Sequence, residues 1–531
     1  MWSGTVTCAS SHGLSRHWIH GTKNSNRVLR CSTTRVMLNR RVDGTLCSTK
    51  YNRGAVQAVE TTSAGDLVET FSYRNSWYPV MPLSLIDPKR PHHMQLLGED
   101  LVLWHDGNGW KCFNNACPHR NAPLSEGKIM DTKAGKTLMC SYHGWKFQGD
   151  GACVSIPQAS SKEKEEAICK NSRSCGKVYA TREEQGVLWV FPGGMKEDED
   201  AYPPIPVCPM IASTDEKDLT YIMRPFFRDL PYDFSTLLEN VADPSHVPFS
   251  HHNVQGNRNN VKYGMYDMQF DNMSYDDDGG EDAIPVRMGA ERGLFVSNLQ
   301  YRQPCLVRYF GKQGEDTFTS FNIYCVPTKP GHSRIISYIA TTRKFPWFVR
   351  FFLQLPEFLS HALTRNKVLD GDNVFLHNQE QYLRKQMVHH NKTLDELYYT
   401  PNSSDLLLSS IRKTLSSLGS PYDGAKGLGG FGLQIPPLIT DHKVILNRFE
   451  QHTKNCRKCL QALRITNMLQ WLAATGACLS VGVMLYMYLS QGTLRSISLP
   501  GLFGSVFALC YKLLTDLKMQ FYYVPYVHNE K

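Results

Sequence analysis

The sequence predicts an α+β protein in three folded parts behind a basic leader. Short β-prone runs broken by tight turns fill residues 70–200. Alternating strand and turn patterns, closing on a long amphipathic helix near residue 370, fill residues 215–400. From Ile465 to Leu494 no residue is charged, and Met468–Ser490 alone can cross about 30 Å of hydrocarbon at about 1.5 Å per residue.

The net charge of +9 suggests nucleic acid until it is located. Residues 1–59 hold nine Lys/Arg and one acidic residue, Asp43, and the remainder is nearly neutral. No nucleic-acid partner is expected. A leader rich in Ser, Thr and Arg and poor in acid reads as an organelle transit peptide over residues 1–60. Sixteen cysteines without a secretory signal do not imply a disulfide framework.

In the β-rich segment, Asp106-Gly-Asn-Gly109 joins Leu101–Trp104 to Trp110–Phe113 as a hairpin. Two signatures follow, Cys117-Pro-His119 and, about twenty residues on, Cys140-Ser-Tyr-His143. Each offers one thiolate and one imidazole. Zinc domains usually open with a C-x₂₋₄-C pair, whereas both pairs here are mixed. Two cysteines and two histidines are the ligands of a Rieske [2Fe–2S] cluster, so residues 70–200 are expected to form a Rieske β-domain. Cys112 and Cys153 fit neither signature and read as buried thiols. Lys162–Glu166 reads as a charged surface loop.

Such a cluster passes single electrons and needs an acceptor. His246 and His251 lie in Glu239-Asn-Val-Ala-Asp-Pro-Ser-His-Val-Pro-Phe-Ser-His251. On one uninterrupted helix their spacing would point them apart, but Pro244 and Pro248 break the helix. Two histidines and a carboxylate make the facial triad of a mononuclear Fe(II) site with positions open to O₂. Asp372 is the expected carboxylate, opening a helix with acidic residues in its first turn, and Asp370 is its rival. His252 is the rival of His251.

Residues 403–437 are rich in Ser, Gly and Pro and read as a linker with one short helix, and the linker region as a whole, 403–460, ends in Cys456-Arg-Lys-Cys459. Cationic neighbours favour the thiolate, so the pair is expected to be a redox-regulatory switch answering to thioredoxin. One such pair supplies only half a zinc site. Gly427-Leu-Gly-Gly-Phe-Gly432 matches G-x-G-x-x-G, but no strand precedes it and Pro436-Pro437 forbids the helix a pyrophosphate would need. Electrons are therefore expected from a separate protein. Beyond the linker, residues 465–517 read as a C-terminal transmembrane helical hairpin. Its flanks carry Arg457, Lys458, Arg464, Lys512 and Lys518, so both ends face the more positive side.

Phe71-Ser-Tyr-Arg-Asn-Ser-Trp-Tyr-Pro79, Pro123-Leu-Ser-Glu-Gly127, Cys140-Ser-Tyr-His-Gly-Trp145, Val368-Leu-Asp-Gly-Asp372, Arg448-Phe-Glu-Gln-His-Thr453 and Tyr526-Val-His528 together resemble the chloroplast branch of the Rieske non-haem iron oxygenases, and within it the pheophorbide a oxygenases. The resemblance implies a helix-grip-like catalytic domain holding mononuclear Fe(II) on His246, His251 and Asp372. It implies reduction by ferredoxin, consumption of O₂, and oxygenolytic opening of a chlorophyll-derived tetrapyrrole. It implies a head-to-tail homotrimer in which Asp243 links His246 to His143 of a neighbouring subunit. It places the protein on a chloroplast membrane, inner envelope or thylakoid, with the head facing the stroma. The same branch hydroxylates protochlorophyllide, chlorophyllide or phyllobilin, and contributes a redox-sensing subunit to the inner-envelope import translocon.

Overall fold

A computed structural model describes residues 71–132, 135–260, 267–270, 283–292, 296–313, 317–353, 355–491 and 494–528. The leader lies outside the described residues. A six-stranded antiparallel sheet runs in the order Tyr78–Pro82, Val187–Phe191, Val178–Glu184, Trp110–Asn114, Glu99–His105, His92–Leu96. The expected hairpin supplies the fourth and fifth strands in that order. Asp106 caps the turn, accepting from the N–H groups of Asn108 and Gly109 at 2.8 and 2.9 Å. A four-stranded sheet, Lys128–Thr132, Gly135–Met139, Lys146–Phe147 and Cys153–Ser155, carries the second metal signature between its middle strands.

The Lys162–Glu166 segment is not a loop. It lies in helix α1, Lys162–Cys169, capped by Ser161, and its Glu165 carboxylate accepts from the Ile156 N–H at 2.6 Å. Charge density alone suggested a solvated turn, but an N-cap serine followed by acidic residues suits a helix start equally.

The larger domain is built on a seven-stranded antiparallel sheet: Thr220–Leu230, His332–Thr341, Thr317–Lys329, Leu306–Gln313, Val296–Arg302, Ala283–Arg292, Met268–Phe270. Helix α2, Phe234–Ala242, packs its buried Phe234, Leu237 and Leu238 on this sheet. A short aromatic helix, α3 (Trp347–Leu353), precedes a π-helical turn, His361–Arg365, and then the 25-residue helix α4, Asn366–His390. Asp370 and Asp372 therefore lie inside a helix rather than in its acidic first turn.

Asp370 is wholly buried between two guanidinium groups. Arg228 from the first strand and Arg448 from the far side each approach a different carboxylate oxygen at 2.7 Å. A second buried cluster joins Arg384 of α4 to Asp233 at 2.7 Å and to Glu380 at 2.9 Å.

The stretch read as a linker is packed instead. Helix α5, Leu406–Leu418, buries Leu407, Leu408, Ile411 and Leu415. Its Arg412 pairs with Glu239 of α2 and donates to the Gly429 carbonyl at 2.9 Å. Phe431 lies between Arg384 and Arg412, at 4.4 and 4.9 Å. Gly429 and Gly430 take φ of +58° and +91°, which lets the chain turn there. Composition hid this because few side chains do the packing and one is an arginine.

Two long helices follow, α6 (Arg457–Gln491) and α7 (Leu494–Gln520). Both are long and apolar enough to cross a membrane, and α7 ends at Gln520, just past the expected hairpin bound at residue 517. A Cβ on Gly476 would fall 2.8 Å from the Phe507 ring, so only glycine permits the approach. Gln470 donates to Thr515 across the pair at 2.7 Å.

Replacing Asp370 with Asn leaves two buried guanidinium groups without a counter-charge. The expected loss is about 3–5 kcal/mol, read as a lowered denaturant midpoint of the detergent-solubilised protein. An unchanged midpoint would show that the clamp adds nothing.

Candidate metal centres

The two cluster signatures form matching loops. In the first, the Cys117 carbonyl accepts from the Asn121 N–H at 2.8 Å, and Asn121 has φ +58°. In the second, the Cys140 carbonyl accepts from the Gly144 N–H at 2.9 Å, and Gly144 has φ +75°. A left-handed residue four positions after each cysteine folds each loop back on itself. The cysteines are buried, at 2% and 1% exposure, in a small core with Trp104, Leu138 and Phe147. The imidazoles point outward, His119 exposed and His143 half-buried, their rings in edge contact at 4.6 Å. Trp145 stacks flat on His119 at 4.8 Å and sets its plane.

The donors thus sort into a thiol pair and an imidazole pair. Among the described residues, the two donor groups tight enough to share one ion lie elsewhere. That arrangement fits a two-iron cluster with one pair on each iron. Burial pushes the Cys117 thiol up to about 11, with Cys140 adding to the rise, a cost that a bound cation would offset.

The second centre is assembled from three elements. Asp243 ends α2 and starts the turn Pro244–His246, accepting from the Ser245 N–H at 2.8 Å. Its backbone carbonyl is bonded to His246 Nδ1, which turns Nε2 toward the site. His246 Nε2 lies 3.2 Å from His251 Nε2, and His251 Nε2 lies 3.3 Å from Asp372 Oδ2. Burial opposes the charge of Asp372, yet His251, His246 and Ser250 hold its carboxyl below the ordinary range. The Ser250 hydroxyl donates to Asp372 at 2.6 Å. Two apposed imidazole nitrogens beside a buried carboxylate, with His251 Nδ1 buried and unpaired, suit one divalent cation.

The rivals point elsewhere. His252 Nδ1 accepts from the Arg258 N–H at 3.1 Å, and Asp370 is held by its two arginines. Sequence reading cited Tyr526 and His528 only as part of the family resemblance and gave them no role in the surround. Tyr526, beyond the hairpin, donates to the Ser250 carbonyl at 2.9 Å, and His528 is bonded to the Gly371 carbonyl at 2.7 Å. Neither carries a metal-ligand spacing that would announce it.

Cys456 and Cys459 are both buried, and they are not alone. His361 and His452 stand with them, and the four donor atoms lie within 4.8 Å of one another. The expectation of half a metal site is therefore corrected. His452 was visible four residues before Cys456, but His361 comes from a distant turn that no local spacing reveals.

Gly371 lies where a Cβ would come 3.1 Å from His251 Nδ1 and 3.0 Å from the Tyr526 hydroxyl. Gly371→Ala is expected to crowd His251 and cost iron, from about three to about two per chain by metal analysis, with the reduced-cluster EPR signal intact. Full iron retention would show that the ring yields freely.

The Rieske [2Fe-2S] domain family matches residues 76–172, and the pheophorbide a oxygenase family matches residues 301–389. The chain is 31% identical to the chloroplastic pheophorbide a oxygenase of Arabidopsis thaliana, over 89% of this chain and 87% of the relative. It is 31% identical to that of Oryza sativa subsp. japonica, over 88% and 87%. It is 29% identical to flavonoid 8-hydroxylase 2 of Ocimum basilicum, over 76% of each. By this likeness along nearly its whole length, the chain belongs to the Rieske oxygenases, in the pheophorbide a oxygenase family.

Proposed function

We propose that this oxygenase takes electrons from ferredoxin and uses O₂ to open the ring of a chlorophyll-derived tetrapyrrole, pheophorbide a being the favoured substrate. The observation that carries this is the 31% identity to pheophorbide a oxygenases across nearly nine-tenths of the chain. When bound, the cluster relays single electrons and the ferrous ion activates O₂.

The residues divide the work. Cys117, His119, Cys140 and His143 hold the cluster, with the histidine edge turned to solvent, where a donor protein can reach. His246, His251 and Asp372 hold the ferrous ion. Asp243 fixes His246 through its backbone carbonyl and keeps a partly exposed carboxylate, 27% accessible, on the protein surface. In a head-to-tail homotrimer that carboxylate would meet His143 of a second copy and join the two centres. Ser250 and Tyr526 position Asp372 and the loop that bears His251.

The apolar pair α6–α7 supports a membrane-anchored head facing the stroma, on the inner envelope or thylakoid. Helix α3 presents Trp347, Phe348, Phe351 and Phe352 to the outside, Trp347 with 80% exposure. Nearby in sequence, Glu357 pairs with Lys458 at the root of α6 at 2.6 Å. Aromatic side chains of this kind suit the lipid interface, through which an apolar substrate would arrive.

Purified protein with reduced ferredoxin, O₂ and a panel of tetrapyrroles is expected to convert pheophorbide a to an opened product, seen by mass spectrometry. Turnover of a flavonoid or an import-complex subunit role in place of tetrapyrrole turnover would refute the substrate. Separately, Asp243→Asn should keep both metal centres by EPR and metal analysis while losing nearly all turnover. Full activity in that variant would sink the proposed electron route.

A further inference from the structure

The four donors His361, His452, Cys456 and Cys459 are fully buried, at 0%, 0%, 0% and 1% exposure. His361 Nδ1 and His452 Nε2 are 3.2 Å apart. Cys459 Sγ lies 3.3 Å from each of these nitrogens, and Cys456 Sγ lies 3.9 Å from His361 Nδ1. Zinc bonds of about 2.3 Å to sulfur and about 2.05 Å to nitrogen set tetrahedral edges of about 3.3 Å between nitrogens and about 3.6 Å between nitrogen and sulfur. The observed nitrogen–nitrogen edge lies just below its ideal value, and the nitrogen–sulfur edges fall on either side of theirs. The sulfurs are not bonded to each other.

The orientation of His452 adds a second, independent observation. Its Nδ1 is bonded to the Phe227 carbonyl at 2.7 Å, which turns Nε2 toward the centre. A ring nitrogen held on a backbone carbonyl with its other nitrogen presented inward is the usual support of a metal-bound histidine. Burying two thiols and two imidazoles together around one point is costly unless something satisfies them jointly.

We propose that His361, His452, Cys456 and Cys459 form a closed structural zinc site that pins the membrane hairpin to the iron-bearing helix. With four protein ligands there is no open position for chemistry. The site joins four elements: the turn that leads into α4, the segment after Arg448, the first turn of α6, and, through Phe227, the first strand of the large sheet. Arg448 reinforces the same junction, donating to the Gln520 carbonyl at the end of α7 at 3.0 Å. The position of α4, and with it Asp372, is thereby tied to the hairpin. A thiol switch at this place would require thioredoxin to reach two cysteines that solvent does not.

The test uses the full-length protein in detergent. Metal analysis is expected to find about one zinc per chain beside the iron. The double variant Cys456→Ser with Cys459→Ser should lose that zinc and keep the reduced-cluster EPR signal. Should that variant misfold, the wild type still decides. Alkylation followed by mass spectrometry should find both thiols protected until a zinc chelator is added, and cobalt(II) in place of zinc should give tetrahedral bands with thiolate charge transfer. A wild-type protein with a full cluster but no zinc would overturn the site. So would zinc retained by the double variant, or a Cys456–Cys459 disulfide in the protein as isolated.

Discussion

Everything at the mononuclear centre depends on the rotation of one helix. Asp370 and Asp372 are two residues apart, so they point to nearly opposite sides of α4 at about 100° per residue. Two arginines capture the first, and the second is thereby turned to His251. A buried carboxylate facing two guanidinium groups has no cheaper arrangement, because any other rotation strands charge in the core. The acidic pair that looked interchangeable in the sequence is a lock and a ligand candidate, told apart only by which partners surround them.

The legibility of the chain follows how local each feature is. The cluster loops could be read because ligand and turn lie within a few residues of each other, as with Cys140 and Gly144. The proline-broken segment from Pro244 to His251 could be read for the same reason. What escaped depends on chain crossings of long range. His361 meets Cys459 across nearly a hundred positions, and Tyr526 meets Ser250 across more than two hundred and seventy. Arg412 and Phe431 make a packed cap from a segment whose composition looks like a tether. Polar and charged residues that do core work are invisible to a hydrophobic pattern, and this protein uses several.

The two metal sites contrast in exposure for a physical reason. At the two Rieske loops the thiols are buried and the imidazoles reach water, so the edge open to solvent carries the imidazoles. At the mononuclear site His251 and Asp372 are both buried, and only His246 reaches toward the surface beside Asp243. A low-dielectric surround strengthens each hydrogen bond that orients the triad.

Tyr526 and His528 lie beyond both long apolar helices, yet they bond to Ser250 and Gly371 beside the triad. The bonds that Tyr526 and His528 add around the triad can therefore form only after α7 has been made. The site segments are fully braced only once the chain after α7 has folded back onto them.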